Sequence, residues 1–149
     1  MFLFNEGVSK SVKQGIKKMY KKAIKGDACC QNDIGALYAK GGAIDKDYAV
    51  AKQWFIRAAN NGSADAQHNL GNMYQNGHGI EQNTEVAMNW FTIASNNGSF
   101  DAQYALGIIY LNGRGIEQNT EVARNWLTIA ANNGSIEAHF DLVLGFGNA

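Results

Sequence analysis

The chain has 149 residues, of which 46% are hydrophobic and 17% are charged, with equal numbers of basic and acidic side chains. This composition excludes a disordered tail, and no apolar run approaches the roughly 20 residues of a membrane-spanning helix. Seventeen glycines and the absence of proline exclude collagen-like and polyproline segments.

A 36-residue period dominates the sequence. The three tryptophans are 36 residues apart, and residues 66–101 and 102–137 are identical at 25 of 36 positions. Residues 30–65 form a diverged copy in the same register. One unit of this size cannot bury its own apolar face, so such units stack and predict an all-α, right-handed solenoid of about eight helices. We expect Trp90 and Trp126 to be largely buried between adjacent units.

The first predicted element is a helix over residues 10–25. Its apolar stripe includes Ile16 and Tyr20, and its other side is rich in lysine. Residues 1–26 carry a net charge of +6, and the rest of the chain carries −6. We interpret the lysines as the wet side of a terminal cap, because terminal repeats need a polar outer face. An acidic protein, a membrane surface or a nucleic acid is the alternative partner for them.

Each complete repeat predicts two helices separated by a glycine-rich loop. In the third copy, Ala102, Leu106 and Tyr110 have helical spacing before the loop begins. Asn119 or Thr120 can cap the second helix, which ends at an Asn-Gly pair. We predict one domain over residues 1–149, consisting of a half repeat at 10–26, repeats at 27–62, 63–98 and 99–134, and a half repeat at 135–149.

The last predicted element, a helix over residues 136–146, is apolar on nearly every side. It has the register of a first helix, with Ala138, Leu142 and Phe146 at the core positions. A helix that is covered on one side only does not need so many apolar residues. We expect a second copy of the chain, in a two-fold dimer, or another protein to cover it.

The repeated motif reads Leu-Gly-x-x-Tyr, then Gly-x-Gly, Ala-x-x-Trp and Asn-Gly, and it begins at Leu70 and again at Leu106. It resembles the Sel1-like repeat, a relative of the tetratricopeptide repeat with a longer loop between its helices. The resemblance covers residues 10–146. It implies a scaffold that binds other proteins, often in bacterial signalling, secretion or host contact. Secreted members of the family carry a cysteine pair in each repeat, and this chain does not.

Few residues could support catalysis or bind a metal. His68, His78 and His139 have no metal-ligand spacing, and other residue types replace them in the other repeats. Cys29 and Cys30 are adjacent, which rarely allows a disulfide and fits a reducing compartment. A redox or metal role for this pair is the alternative to a structural one. We expect no catalytic residue, metal or cofactor, and a cytoplasmic location with a secreted effector as the alternative.

The better functional signal is variation along one face of the first helices. In tetratricopeptide-like arrays this face lines the concave surface, and here its side chains change between copies while the core residues stay constant. Apolar residues occupy it toward the C-terminus, and contiguous apolar surface patches usually bind partners. Part of the face could instead pack within the array. The predicted partner-binding residues are His68, Asn72, Gln75, Tyr104, Ile108, Leu111, Phe140 and Leu144.

These patterns together predict a non-catalytic scaffold that binds a protein or peptide, without nucleic acid and without stable membrane insertion. One alternative is a structural module that self-associates through the last helix. The other is a hydrolase of the secreted repeat-protein type.

Overall fold

The computed structural model describes residues 2–145, within which there are eight helices, as predicted. Odd-numbered helices are second helices of a repeat, and even-numbered helices are first helices. Their bounds are α1 Lys10–Ala23, α2 Ala28–Lys40, α3 Tyr48–Asn60, α4 Ala64–Asn76, α5 Thr84–Asn96, α6 Phe100–Asn112, α7 Thr120–Asn132 and α8 Ile136–Leu144. The chain divides after Leu70 into two compact units, unit 1 before this point and unit 2 after it. The predicted position of Phe146 in the last helix lies outside the described residues.

The helix ends follow from side-chain caps and glycines. Asn119 caps α7, because its side-chain oxygen accepts a hydrogen bond from the Val122 amide at 3.0 Å. At the other end of α7, Asn133 has a φ of −92° and Gly134 has a φ of 111°. The glycine alone therefore takes the left-handed conformation that ends the helix, and the asparagine before it does not.

The two helices of a repeat approach closely because the first helix has a glycine at the contact. A Cβ atom on Gly107 would lie 2.8 Å from Leu127, and one on Gly35 would lie 2.7 Å from the Phe55 ring. Neither distance leaves room for a methyl group. The Leu-Gly and Ile-Gly pairs of the motif therefore set the distance between paired helices.

The residue after each tryptophan is the main core anchor of the repeat. Phe91 is 1% exposed and packs against Gly71, whereas its neighbour Trp90 is only half-buried. Trp126 is also half-buried. Trp126 packs against the core residues of α5 and α6, which places it between adjacent repeats, although the deepest position of the second helix belongs to the next residue. Only Trp54 is buried, at 7% exposure.

Residues 2–9, for which the sequence analysis made no prediction, continue the repeat register before α1. Phe2 stands 36 residues before Tyr38, and its ring meets that of Tyr20 edge-on at 5.1 Å. The Asn5 backbone amide donates to the Ala43 carbonyl at 2.9 Å, which holds this segment on the first inter-helix loop. The segment therefore covers part of repeat 1 that would otherwise meet solvent.

Candidate partner-binding face

The eight predicted binding residues lie on three first helices. His68 is in unit 1 and the other seven are in unit 2. The side chains on α4 and α6 are half-buried, and those on α8 are exposed. The structure thus divides the predicted face into a partly packed portion and an open portion. The half-buried residues are His68, Asn72, Gln75, Tyr104, Ile108 and Leu111, and the exposed ones are Phe140 and Leu144.

Tyr104 joins α6 to α8. Its hydroxyl donates a hydrogen bond to Asp141 Oδ2 at 3.0 Å, and its ring, like the side chain of Ile108, packs against the buried residues of α7 and α8. Burial, followed by the hydrogen bond to Asp141, raises the pKa of the Tyr104 phenol to about 12. The two central residues of the predicted face therefore also hold consecutive first helices together.

A related contact occurs in unit 1 with different chemistry. The Asn69 side-chain amide donates to Asn32 Oδ1 at 2.9 Å, and this pair has the same 37-residue separation as Tyr104 and Asp141. Neutral amides thus replace the phenol and carboxylate at equivalent positions. In each unit one side chain of a first helix therefore hydrogen-bonds to the next first helix, with different chemistry in the two units.

The open portion of the face is a group of four apolar side chains on α8. Phe140 is 58% exposed and Leu144 is 64% exposed, and Ile136 and Val143 are exposed beside them. Spacings of four, seven and eight residues from Ile136 place all four on one side of the helix. We call these four residues the α8 patch; Phe140 and Leu144 belong to the predicted face, and Ile136 and Val143 extend it.

At the other end of the face, Gln75 of α4 corresponds to Leu111 of α6. The backbone carbonyl of Gln75 accepts a hydrogen bond from the Gln82 side chain at 2.7 Å, and the Leu111 carbonyl accepts the same bond from Gln118 at 2.7 Å. Because the acceptor is a backbone carbonyl, this hydrogen bond from the loop glutamine is independent of the side chain that the face carries at that position. The Gln75 Oε1 atom is buried without a hydrogen-bond partner, which costs free energy in the isolated chain.

A buried glutamine in each repeat escaped prediction from sequence. Gln31 donates to the Ala23 carbonyl at 2.9 Å and accepts from the Asn61 side chain at 2.9 Å, so it ties the ends of α1 and α3 to α2. Gln103 accepts from Asn133 in the same way at 2.9 Å. An Ala-Gln pair that recurs after 36 residues was the available signal. We call this arrangement the glutamine clamp.

The histidines and cysteines do not form a chemical centre. His78 and His139 are exposed, and no group of three or more His, Cys, Asp or Glu residues between positions 2 and 145 is arranged to hold a metal ion. Cys29 and Cys30 are unpaired thiols. Burial, and then the neighbouring Asp27, raises the pKa of the Cys30 thiol, which lowers its thiolate fraction and its reactivity.

No helix in the described part of the chain has the length and apolar character required to cross a membrane.

The family model for the Sel1 repeat matches residues 30–63, 64–99 and 100–135, more than half of the chain. The chain belongs to the Sel1 repeat family. This confirms the resemblance carried by the Leu-Gly, Gly-x-Gly and Asn-Gly motif. No curated protein matches the chain significantly.

Solved Sel1 structures share the fold. A Sel1 repeat protein from Oxalobacter formigenes is 36% identical, with a TM-score of 0.80 over 89% of this chain and 54% of its own, so this chain spans about half of that relative. The antigen c5321 of uropathogenic Escherichia coli is 26% identical, with a TM-score of 0.58 over 83% of this chain and 34% of its own.

Helicobacter pylori cysteine rich protein B is 21% identical, with a TM-score of 0.69 over 90% of this chain and 97% of its own. At this identity the likeness concerns the fold alone. These structures confirm the prediction of an all-α repeat solenoid. All three proteins come from bacteria, as expected for the family.

Proposed function

We propose that this chain is a non-catalytic scaffold that binds a protein or peptide on the first-helix face of unit 2. Sel1 repeat proteins generally mediate protein–protein interaction, and their fold is typical of scaffolds. The α8 patch forms the exposed centre of the site, and the accessible edges of Tyr104 and Ile108 extend it. Asn72, Gln75 and Leu111 border it, and His68, which lies in unit 1, stays a separate prediction.

The observation that carries the proposal is the selective divergence of this face. His68, Asn72 and Gln75 correspond to Tyr104, Ile108 and Leu111 in the next copy, so each polar residue is replaced by a more apolar one. In the same helices the core residues Leu70 and Leu106 are identical. Packing explains the constant positions. Recognition of an apolar partner explains the direction of change in the variable ones.

Apolar burial supplies the binding energy in this proposal. If a partner covers about 300 Å² of the α8 patch and its surroundings, the gain is about 7 kcal/mol before the cost of association. Phe140 is the central anchor, because large exposed aromatic residues dominate binding energies at interfaces.

The test compares two double variants of equal chemistry. Phe140→Ser with Leu144→Ser removes half of the α8 patch, and Ile93→Ser with Ile129→Ser removes two exposed residues of second helices. Partners are captured from the source organism with the wild-type chain, and each Kd is then measured by titration of the purified pair. We expect the first variant to weaken binding about tenfold or more and the second to leave it unchanged.

Equal affinities of the two variants would move the site away from α8. Tyr104 and Ile108 are unsuitable for this first test because their packing against α7 and α8 would mix binding with stability.

Self-association through the α8 patch is a second candidate function, favoured by the exposure of all four apolar residues. An isologous two-fold contact would place the same patch on both copies. Sedimentation from low to high micromolar concentration should then show a dimer that Phe140→Ser with Leu144→Ser abolishes. A wild-type chain that stays monomeric over this range contradicts it.

A further inference from the structure

The outer side of α1 concentrates the positive charge of the molecule. Seven of the thirteen basic residues lie between positions 10 and 25, and six of these seven are exposed. Lys10, Lys17 and Lys21 follow one side of the helix at helical spacing, and the others flank or follow them. We define the lysine face as Lys10, Lys17, Lys18, Lys21, Lys22 and Lys25.

α1 itself carries no negative charge, and the nearby carboxylate of Asp27 interacts with Lys22 at one edge of the lysine face. The helix contains no aspartate or glutamate, so it lacks the ion pairs at four-residue spacing that usually lace an exposed charged helix. Residues 27–149 carry a net charge of −6, against +6 for residues 1–26. An anionic surface would therefore attract one end of the sequence and repel the rest, which orients the chain during encounter.

The fold fixes the lysine face outward. Ile16 and Ala23 are buried, and Met19 and Tyr20 pack against the cluster that contains Ile34 in unit 1. The apolar side of α1 is thus occupied by intramolecular packing. The helix cannot turn its apolar side into a bilayer without unfolding the repeat. The lysines can therefore contact only the headgroup surface of a bilayer.

The residue types on the lysine face select the class of partner. The face has lysine and no arginine, so it lacks the planar group that recognises phosphates and bases in a fixed geometry. The Tyr20 ring is engaged edge-on with Phe2 and with Trp54, at 5.1 and 5.7 Å, and offers no stacking platform for a base. The face also lacks the aromatic or arginine anchor typical of protein interfaces.

The negative headgroups of a lipid bilayer can rearrange around a cluster of lysines, so binding to them requires neither arginine nor an exposed aromatic ring. Clusters of four to eight basic residues on a helix are typical of binding to anionic lipids. Ile24, which is 59% exposed at the end of α1, adds one apolar contact at the same edge. We propose that the lysine face docks the chain on the surface of an anionic lipid bilayer. This docking is separate from partner binding by unit 2.

The experiment is co-sedimentation of the full chain with vesicles. One set contains one part phosphatidylserine to two parts phosphatidylcholine, and the other contains phosphatidylcholine alone. We expect binding to the first set only, with loss on raising the salt from about 0.1 M to about 1 M, because the screening length then falls to about 3 Å. Each lysine near the surface contributes a factor of about five to the partition coefficient.

A charge-matched pair of variants locates the effect. The test variant changes Lys17, Lys18, Lys21 and Lys25 to glutamine, and the control changes Lys40, Lys46, Arg114 and Arg124 to glutamine. All eight residues are exposed and both variants have the same net charge. The test variant should lose binding by more than about a hundredfold, and the control should retain it. Helical circular dichroism checks that both remain folded.

Three outcomes overturn the proposal. The wild-type chain could fail to bind phosphatidylserine vesicles. The control variant could lose binding as much as the test variant, which would assign the effect to net charge rather than to α1. A single-stranded RNA could bind while the vesicles do not, which would make the lysine face a nucleic-acid surface.

Discussion

The two sides of helix α6 respond to the repeat in opposite ways. One side carries Leu106 and Gly107, which are buried and identical to their counterparts Leu70 and Gly71. The other side carries Tyr104, which replaces a histidine of the previous copy. Packing of α7 against Gly107 leaves no freedom to vary, whereas the outer side meets solvent and the next first helix. Close packing therefore keeps Leu106 and Gly107 constant, whereas the position of Tyr104 varies between copies even though Tyr104 hydrogen-bonds to α8.

The largest effect should come from the core anchor. Phe91→Ala removes a ring that is 1% exposed and should lower the free energy of unfolding by about 3–5 kcal/mol. Trp90→Ala should cost clearly less, because Trp90 is half-buried. Urea unfolding followed by circular dichroism measures both. If Trp90→Ala proves the more damaging, the tryptophan and not the phenylalanine anchors the repeat.

The glutamine clamp should show a smaller loss. Gln31→Ala leaves the buried Ala23 carbonyl and the Asn61 side chain without their partner and should lower stability by about 1–3 kcal/mol. Gln118→Ala is the matched control, since Gln118 is exposed and makes one loop bond. Its loss should stay within about 0.5–1 kcal/mol. Equal losses in the two variants would mean that the buried clamp contributes no more than a surface bond.

Tyr104 provides a pH-dependent test of the contact between α6 and α8. Its pKa is raised from 10.0 to about 12 in the folded chain, so the folded state holds the phenolic proton more tightly than the unfolded state. The corresponding stability is complete below pH 10 and is lost as the pH rises toward 12. Burial also raises the pKa of Tyr38, so phenolate absorbance should show more than one late-titrating tyrosine, and Tyr104→Phe should remove the one that titrates near pH 12.

Replacement of the neighbouring carboxylate isolates its share of this shift. Asp141→Asn keeps a hydrogen-bond acceptor and removes the negative charge, so the Tyr104 pKa should fall toward its ordinary value. An unchanged titration curve in this variant would leave burial as the whole cause.

The smallest change in stability should come from the exposed face. Phe140→Ser and Leu144→Ser should each alter the free energy of unfolding by about 0.5 kcal/mol or less, because both side chains are mainly in solvent. Their effect belongs to binding alone. A loss as large as that of Phe91→Ala would identify the α8 patch as part of the core and contradict its assignment as a docking surface.

Much of the helical architecture could be predicted from sequence because the chain contains three copies of the same repeat. The apolar spacing, the Gly-x-Gly loops and the Asn-Gly ends recur at the same places, so each helix is supported by its copies. Asn119 was named as a candidate cap for the same reason. A prediction of this kind depends on local chemistry and register, which the sequence contains directly.

The depth of each side chain could not be read in the same way. Trp90 and Phe91 are both large and apolar, and their sequence does not show that Phe91 packs on Gly71 while Trp90 is only half-buried. Gln103 is polar and was not expected in the core, since its partners come from a distant part of the chain. For Tyr104, periodicity gave the correct face, but it could not reveal that Asp141 was within hydrogen-bond reach.

Packing between consecutive helices has a kinetic consequence. In unit 1, α2 packs on α1 and α3, and in unit 2, α6 packs on α5 and α7. Each of these contacts closes a loop no longer than one helix and its connection, so the entropy lost before the contact forms is small. Helical proteins with such short-range contacts fold in microseconds to milliseconds. Rapid folding of one helix pair, with its neighbours as templates, therefore follows from the short sequence separation between packed helices.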